Sequence, residues 1–481
     1  MFQKIKIGTN FRFVENLFKT ICINDFIIET LLHTGPSAAK HYFWRPHKNR
    51  SDTMSKVNLV EELRWRGLVA DMMPGTEEQL NKEMTTGYIG FDPTATSLHV
   101  GSLLPILLLV HLQKAGHRPA ALVGGATGMI GDPSGKAAER SFLDEETLAR
   151  NVAGIRGQLE KFLDFGPERP NAALLVNNYD WFKDISFIGF LRDVGKHITV
   201  NYMMAKDSVR KRIEGETGIS YTEFAYQLMQ GYDFYWLYQH MNVKLQMGGS
   251  DQWGNMTTGS ELVRRKAGGD AFVITCPLVT KADGTKFGKS EGGNVWLDPA
   301  LTSPYQFYQF WLNATDADAE KWVKMFTFLD QPTITKLIAD HQQNPGARQL
   351  QKVLAREVTS FVHGMEEYEK AVATTEKLFA NQTAPAESLS LEDLEQMEGV
   401  QKMDYPRAQL AVGIDIVSFL AETGILPSKG EARKMVQGGG ISLNRRKVEA
   451  TDLQVASSHL LHNTYLLLQK GKKNYYLVKA V

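Results

Sequence analysis

The chain has 481 residues, which is enough for about three domains at roughly 150 residues each. Hydrophobic residues make up 43% and charged residues 22%, a globular composition that excludes disorder as the overall state. Lysine plus arginine equals aspartate plus glutamate at 54 each, so the chain as a whole is not attracted electrostatically to nucleic acid or to a membrane. Two cysteines and no run of 18 apolar residues exclude a disulfide scaffold and a transmembrane helix, and we expect a cytoplasmic protein without a membrane partner.

Residues 1–53 differ in composition from the rest of the chain. They contain eight Lys/Arg against four Asp/Glu, but no apolar stretch followed by a small-residue cleavage site, so a secretory signal is not expected. The segment fits a mitochondrial transit peptide only weakly, because such peptides are poor in acids and rich in serine and arginine. We interpret it as an extension outside the core, with Met54 as an alternative start, because helical periodicity begins at 57–66.

The next 250 or so residues alternate short apolar runs with amphipathic stretches. Strands are predicted at 85–91, 120–123, 172–176, 243–247 and 271–275. Helices are predicted at 97–115 with Ser97 as a possible N-cap, at 144–165 with a capping aspartate, at 184–194 and at 221–241. Strands that alternate with helices indicate a parallel sheet covered on both faces, so residues 54–300 are predicted to form one α/β domain.

Strand signals fade after about residue 300. Residues 301–380 are predicted to form a helical domain. Residues 381–400 carry five acids, no base and Pro385, and are predicted to be an acidic linker. Residues 401–481 contain twelve Lys/Arg against six Asp/Glu, a net charge of +6, and are predicted to form a basic module.

A glycine-rich segment follows the strand predicted at 120–123. Its glycines do not have the G-x-G-x-x-G spacing of a dinucleotide site. The Walker phosphate loop is excluded as well, because Ala137 follows Gly135 and Lys136 where Ser or Thr is needed, and Ile130 stands where its first glycine should be. The segment is therefore predicted only as an exposed turn that can approach a ligand.

Three other patterns, taken together, indicate a site that binds a ligand. The segment 90–102 joins a strand to a helix N-terminus, which favours an anion, and it places His99 in the first helical turn. The segment 281–290 has lysines at 286 and 289 among glycines and is predicted as a mobile cationic loop. Tyr226, Gln230 and Asp233 share one face of a mostly apolar helix, where a polar ligand could satisfy them. Each pattern alone also fits a capping histidine, a solvated turn or a structural network, respectively.

Together the three patterns resemble the class I aminoacyl-tRNA synthetases, and in detail the tyrosyl-tRNA synthetases of bacterial type. His99-Val100-Gly101-Ser102 is similar to the HIGH motif and residues 286–290 to the KMSKS motif of that class. The segments 90–98, 124–136, 232–234, 248–255 and 281–290 match the family in order. Residues 413–479 resemble its small RNA-binding module. One position departs from the pattern, because Ser102 stands where the family usually has a second histidine.

The resemblance implies a Rossmann-like catalytic domain, a helical domain and a small C-terminal α+β module. It also implies activation of L-tyrosine by ATP, with Mg²⁺ on the phosphates, and transfer of tyrosine to the 3′ end of tRNA(Tyr). No protein-held metal, no tightly bound cofactor and a homodimer are expected. By carry-over, the tyrosine site consists of Tyr88, Asp92, Asp132, Tyr226, Gln230, Asp233 and Gln252, and the ATP site consists of Thr94, His99, Gly101, Ser102, Gly249, Asp251, Lys286, Lys289 and Ser290. The implied reaction needs charge stabilisation at the phosphates, which His99, Lys286 and Lys289 suit as catalytic residues. The RNA contacts are predicted from the charges that cluster in the basic module, at Arg433, Lys434, Arg445, Arg446 and Lys447.

Two alternatives stay open at this point. One is a synthetase-like RNA-binding protein that has lost catalysis, although the lysines at 286 and 289 argue against it because such a protein should have degraded this loop. The other is a synthetase for tryptophan, although Asp233 with Tyr88 suits a hydroxyl group better than an indole ring.

Overall fold

In the computed structural model, the described residues are 58–132, 143–215, 218–285, 287–290, 293–379, 385–395, 397, 400–471 and 474–481. The predicted extension 1–53, Met54 and Lys286 lie outside them. In the described part of the chain, no helix is long and apolar enough to cross a membrane.

A six-stranded sheet organises the first half of the described chain. In chain order its strands are β1 (Asp71–Met72), β2 (Thr86–Phe91), β3 (Arg118–Val123), β4 (Leu174–Asn177), β5 (Val243–Gly249) and β6 (Phe272–Cys276). Their spatial order is β1-β6-β5-β2-β3-β4, with β2 to β6 parallel and β1 antiparallel at one edge. The predicted parallel sheet is confirmed, and the short edge strand β1 was not predicted.

Helices cover the sheet and supply its connections. They are α1 (Leu59–Trp65), α2 (Thr76–Lys82), α3 (Val100–Lys114), α4 (Thr127–Ile130), α5 (Glu145–Phe162), α6 (Tyr179–Phe182), α7 (Phe187–Asp193), α8 (Val200–Met204), α9 (Asp207–Ile213), α10 (Tyr221–Met241) and α11 (Trp253–Ala267). Helix α10 begins at the Ser220 side chain, which accepts from the Glu223 amide, and it ends at Asn242 in a left-handed conformation. Local capping chemistry therefore sets both ends where the periodicity predicted them.

Two short hairpin strands and five long helices follow: β7 (Lys289–Ser290), β8 (Gly293–Asn294), α12 (Pro304–Leu312), α13 (Asp316–Phe326), α14 (Gln331–Gln343), α15 (Gln349–His363) and α16 (Met365–Phe379). Trp311 and Trp322 belong to the same buried cluster as Leu103 and Leu107 of α3. The buried Arg66 side chain donates to the backbone carbonyls at residues 324, 327 and 329, which connects the end of α1 to the end of α13. Beyond the predicted boundary at residue 300 the chain is mainly helical, but the hydrophobic core continues across that boundary.

The C-terminal region contains α17 (Leu391–Glu395), β9 (Gln401–Tyr405), α18 (Arg407–Val412), β10 (Ile414–Asp415), α19 (Ile416–Glu422), α20 (Lys429–Gln437), β11 (Ile441–Leu443), β12 (Arg446–Lys447), β13 (Gln454–Val455), β14 (Tyr465–Lys470) and β15 (Asn474–Ala480). Five strands form a sheet in the order β12-β11-β14-β15-β9. One face of this sheet builds a separate core with α19 and α20. Side chains of the other face, including Leu467 and Leu477, belong to the main core.

The described part of the predicted acidic linker is packed against its neighbours. Ala386, Leu389 and Leu394 are buried in the main core. Asp393 pairs with Lys377 at 3.1 Å, and Glu387 pairs with Arg446 at 3.3 Å. Two of the five acids of this segment therefore pair with bases of the elements on either side, and its described part is a packed layer rather than a free spacer.

Candidate active site

The site lies at the carboxyl ends of the parallel strands. The chain passes from β2 outward through β3 and β4, and then returns to the other side of β2 with β5 and β6. In open α/β sheets such a reversal of strand order places the ligand crevice above the carboxyl ends of the two strands that flank it, which are β2 and the strands beside it in this chain. Asp92 directly follows β2, and Asp251 follows β5 by two residues.

A buried carboxylate and a buried phenol meet on one side of this crevice. Asp233 of α10 is 2% exposed and Tyr88 of β2 is 1% exposed. The Asp233 carboxylate accepts from Trp181 Nε1 at 2.9 Å and from Asn178 Nδ2 at 3.1 Å. Burial raises the pKa of Asp233 to about 8, against these two hydrogen bonds, which lower it. The Tyr88 hydroxyl has no hydrogen-bond partner among the described residues, and burial followed by the charge of Asp233 raises its pKa.

A second set of polar groups connects Asp92 with this pair. Asp92 Oδ2 accepts from the Tyr226 hydroxyl at 2.8 Å, and Asp92 Oδ1 accepts from Thr127 Oγ1 at 2.8 Å. Asn178 donates to Thr127 Oγ1 as well as to Asp233. A Cβ atom on Gly124 would overlap both Asp92 and Thr127, so only glycine fits there. The glycine-rich segment thus makes room for a carboxylate.

The loop after β5 contributes a second amide and carboxylate cluster. Gln252 Nε2 donates to Asp132 Oδ2 at 2.7 Å, and Asn255 Nδ2 donates to Gln230 Oε1 at 3.0 Å. Asp251 lies beside Gln252, and desolvation, followed by repulsion from Asp132, raises its pKa. The structure therefore brings Asp132, Gln230 and Gln252 together, as the sequence predicted, whereas residues 133–142 lie outside the described chain.

His99 is the N-cap of α3 rather than a residue of its first turn, and Ser97 is not the cap. His99 Nδ1 accepts from the Gly101 amide at 2.9 Å, which leaves the proton of the neutral ring on Nε2. A Cβ atom on Gly101 would lie 2.6 Å from the His99 ring, so this glycine makes room for the histidine. Ser97 instead donates to the Leu98 carbonyl. Ser102 is half-buried in the first turn, and Thr94 is exposed.

The segment predicted as a mobile loop contains an ordered turn. Thr285 donates to Asp283 Oδ1 through its amide and its hydroxyl, and the Lys281 amide donates to the Thr285 carbonyl. Beyond the turn, the Val295 amide donates to the Gly288 carbonyl and the Val100 amide donates to the Val295 carbonyl. The His99 motif and the lysine segment are therefore neighbours in space. Lys286 and the side chains of Lys289 and Ser290 lie outside the described residues.

Known proteins share this chain's sequence over nearly all of the described part. A family model for class I tRNA synthetases (W and Y) matches residues 80–380, and a model of the tyrosine–tRNA ligase C-terminal domain matches residues 395–478. The chain is 59% identical over 429 residues to the tyrosine–tRNA ligase of Parabacteroides distasonis, which covers 88% of this chain and 100% of that protein. It is 61% identical over 431 residues to that of Flavobacterium johnsoniae, with the same coverage.

The chain belongs to the tyrosine–tRNA ligase family. Solved structures agree with this assignment. A C-terminally truncated mitochondrial tyrosyl-tRNA synthetase of Aspergillus nidulans is 30% identical, with a TM-score of 0.60 over 67% of this chain and 94% of that one. The corresponding protein of Coccidioides posadasii is 32% identical, with a TM-score of 0.58 over 66% of this chain and 91% of that one. The expected class I fold is thereby confirmed.

The basic residues of the family's C-terminal module differ in their surroundings. Arg433 and Lys434 on α20, and Arg446 and Lys447 on β12, are exposed. Arg445 is half-buried, and its guanidinium donates to the Lys377 carbonyl at 2.9 Å in the last turn of α16. The structure thus assigns Arg445 a contact with the helical region, whereas the other four side chains are exposed.

Sequence reasoning missed four side chains that contact the site residues. Thr127, Asn178, Trp181 and Asn255 each hydrogen-bond a carboxylate or amide of the site. Asn178 and Trp181 follow β4, the strand next to β3, at the same carboxyl edge of the sheet. Their position after a parallel strand was the available signal, because polar residues at that edge converge on the crevice.

Proposed function

We propose that this protein activates L-tyrosine with ATP and transfers it to the 3′ end of tRNA(Tyr). The main support for this proposal is the buried Asp233, which Trp181 and Asn178 orient and which lies close enough to Tyr88 to raise the pKa of its hydroxyl. A pocket built to hydrogen-bond a hydroxyl rejects the analogue that lacks it by about 10⁴–10⁵-fold, and tyrosyl-tRNA synthetases are the reference case for that factor. Both the phenol of tyrosine and the family relationship fit such a pocket.

The remaining acids suit the ammonium group of tyrosine. Asp92 accepts a hydrogen bond from Tyr226, and Asp132 accepts one from Gln252. A cation placed among carboxylates is stabilised, whereas an uncharged analogue would leave them repelling each other. We assign Asp132, Tyr226 and Gln230 to the ammonium, Gln252 to the carboxylate, and Gly249 and Asp251 to the ATP ribose, with Asp92 nearby.

The first chemical step needs alignment and charge stabilisation rather than a protein base. The carboxylate of tyrosine is already ionised at neutral pH. Its oxygen attacks the α-phosphorus of ATP, the bond to the β-phosphate oxygen breaks, and pyrophosphate leaves with that electron pair. Positively charged and N–H groups aimed at the phosphates stabilise this transfer. We assign His99 Nε2–H, Lys286 and Lys289 to that role, with Thr94, Gly101, Ser102 and Ser290 lining the ATP site. Mg²⁺ is expected to arrive bound to the phosphates of ATP, as part of the substrate.

The second step transfers the tyrosyl group to a ribose hydroxyl of the tRNA, and AMP leaves. The exposed bases Arg433, Lys434, Arg446 and Lys447 suit contacts with RNA phosphates, which bring large and salt-sensitive affinity. We propose that the C-terminal module supplies these contacts and so holds the tRNA for the transfer.

We also propose that the protein acts as a homodimer in the cytoplasm. Helix α7 carries Phe187 and Ile188 with 65% and 75% of their surfaces exposed, and none of its residues is buried. Val200 and Met204 of α8 add 58% and 44% exposure. Exposed large apolar side chains on two successive helices are typical of a protein interface, and a second copy of the chain would cover them.

The test is tyrosine-dependent exchange of pyrophosphate into ATP, measured with each of the twenty amino acids. Tyrosine should exceed phenylalanine and tryptophan by several orders of magnitude. If tryptophan supports exchange and tyrosine does not, tryptophan is the substrate. No exchange with any amino acid, together with retained tRNA binding, would favour the inactive RNA-binding alternative.

A further inference from the structure

An aromatic residue stands between the two lysines assigned to the phosphates. Phe287 follows Lys286 directly and precedes Lys289 by two residues. Its neighbours in sequence are polar or glycine, yet Phe287 is only 7% exposed. A turn that served solely to present lysines would not need a buried aromatic ring at this position, and the burial therefore indicates an anchor.

The ring of Phe287 lies among four aromatic rings of the helical region. Its centroid is 5.0 Å from that of Trp322, 5.3 Å from Phe326, 5.7 Å from Phe310 and 5.9 Å from Trp311. Trp311, Trp322 and Phe326 are all at most 2% exposed. We name these four rings the aromatic socket. It belongs to α12 and α13, so the segment that carries the lysines is held by the helical region and not only by the sheet.

A second contact fixes the same segment to the same helix. The amide of Ala282 donates to Asp318 Oδ1 at 2.7 Å, and Asp318 lies buried in the first turn of α13. Thr315, the N-cap of that helix, donates to the other carboxylate oxygen of Asp318 at 2.8 Å. The segment between residues 282 and 287 is therefore tied at both ends to α13.

The opposite side of the segment faces the His99 motif. Gly288 adopts a left-handed backbone with φ of 82°, and a Cβ atom there would lie 3.0 Å from Val100 Cγ2 and 3.5 Å from the Gly101 amide. Phe287 in its socket and Gly288 against α3 are consecutive residues. The position of the ring therefore determines how closely the segment approaches the N-terminus of α3.

We infer that Phe287 is a positioning residue for adenylate formation: its ring in the aromatic socket sets the lysine segment against the His99 motif. The inference rests on the proposed function and adds a residue that touches neither tyrosine nor ATP. Misplacing a reacting group by about 1 Å can cost on the order of 10²-fold in rate. Loosening the ring should therefore reduce the rate of activation while the tyrosine pocket, on the other side of the crevice, remains intact.

The experiment compares Phe287→Leu and Phe287→Ala with the control Phe162→Leu in the full chain. Phe162 is buried at the end of α5, and its ring lies 5.2 Å from that of Phe361, which does not belong to the aromatic socket. Pyrophosphate exchange gives kcat and the KM for ATP, equilibrium dialysis gives the Kd for tyrosine, and thermal unfolding gives Tm. Repeating Phe287→Leu in the Lys289→Ala background shows whether the ring acts through that lysine.

We expect about 10-fold lower kcat for Phe287→Leu and about 10²-fold for Phe287→Ala, with the Kd for tyrosine within about 2-fold of wild type. Phe162→Leu should lower Tm as much as Phe287→Leu but keep kcat within about 2-fold. In the Lys289→Ala background, the effect of Phe287→Leu should shrink. Equal kcat losses for the two Leu variants, or the same factor in both backgrounds, would overturn the inference. An inactive wild-type enzyme would instead overturn the proposed function.

Discussion

Replacing Asp233 with asparagine should stabilise the protein at high pH while it destroys tyrosine recognition. Asp233 is 2% exposed, and burial raises its pKa to about 8. An unfolded aspartate has a pKa of about 3.9. The folded state therefore binds the proton of Asp233 more tightly than the unfolded state does. Asparagine has a similar shape, carries no charge and can still accept a hydrogen bond from Trp181 or Asn178.

The sign and size follow from this difference in pKa. Because the folded-state pKa is raised, the free energy of unfolding falls as the pH rises from about 4 to about 8 and then levels off. With a folded-state pKa of about 8, the free energy of unfolding falls by about 1.4 kcal/mol for each pH unit well below that value. Between pH 6 and pH 8 the total decrease is about 2 kcal/mol, because the slope flattens as the pH approaches the pKa. The Asp233→Asn variant has no carboxyl group at this position and should not show this decrease in the free energy of unfolding.

Urea unfolding of the unliganded protein at pH 6 and pH 8 measures the effect. The wild type should lose about 2 kcal/mol more than Asp233→Asn over this interval. Asp340→Asn, a change of an exposed aspartate on α14, serves as the control and should behave as wild type. Tyrosine-dependent exchange should fall by several orders of magnitude in Asp233→Asn only. An equal pH dependence in wild type and Asp233→Asn would refute the assignment of a raised pKa to the buried carboxyl.

Further outcomes follow from the other site residues and from the domain organisation. Lys289→Ala should slow adenylate formation by about 10²–10³-fold with unchanged tyrosine affinity, and an equal fall in affinity would make this lysine structural. Ser102→His should stay active in exchange, since the family usually has histidine there, and an inactive but folded variant would contradict the resemblance at this position. Deletion of residues 1–53 should leave both steps intact by exchange and charging assays, and a large fall in Tm would show that the segment packs on the core. Truncation within 381–400 should preserve pyrophosphate exchange and abolish tRNA charging. In the intact protein, raising the salt concentration from about 50 to 200 mM should weaken tRNA binding far more than tyrosine binding. That truncation uncovers the core contacts of Leu467 and Leu477, so we also expect a lower Tm; charging at the full rate would contradict the RNA-binding role.

The sequence predicted those parts of the fold whose causes are local. Helix α10 occupies the predicted residues because Ser220 caps its start and Asn242 ends it. The parallel sheet followed from the alternation of strands and helices, although the register and the antiparallel β1 depend on pairing with β6, some 200 residues away. Periodicity describes each element separately, so it cannot tell which distant segment completes a sheet.

The missing part of the site arises from contacts between distant segments. Asn178 and Trp181 are 55 and 52 residues from Asp233, and no local pattern connects them with it. Arg445 looked like an RNA contact because it stands among other bases, yet the carbonyl it binds is 68 residues away. The lysine segment looked mobile because it is rich in glycine, whereas the burial of Phe287 comes from helices that follow it in the chain.

Charges of opposite sign lie on two sides of the crevice, and this division suits the two proposed substrates. Asp92, Asp132 and Asp233 lie on the side proposed for tyrosine, and they suit an ammonium group and a phenol. The N-terminus of α3 with His99, and the segment that carries the lysines, form the other side, which suits phosphates. In the proposed reaction, the carboxylate of tyrosine and the α-phosphate, both negative, react at the boundary between these regions. The enzyme can hold them together only if the cationic side is fixed in place, and in this chain Phe287 and Asp318 connect that side to the helical region.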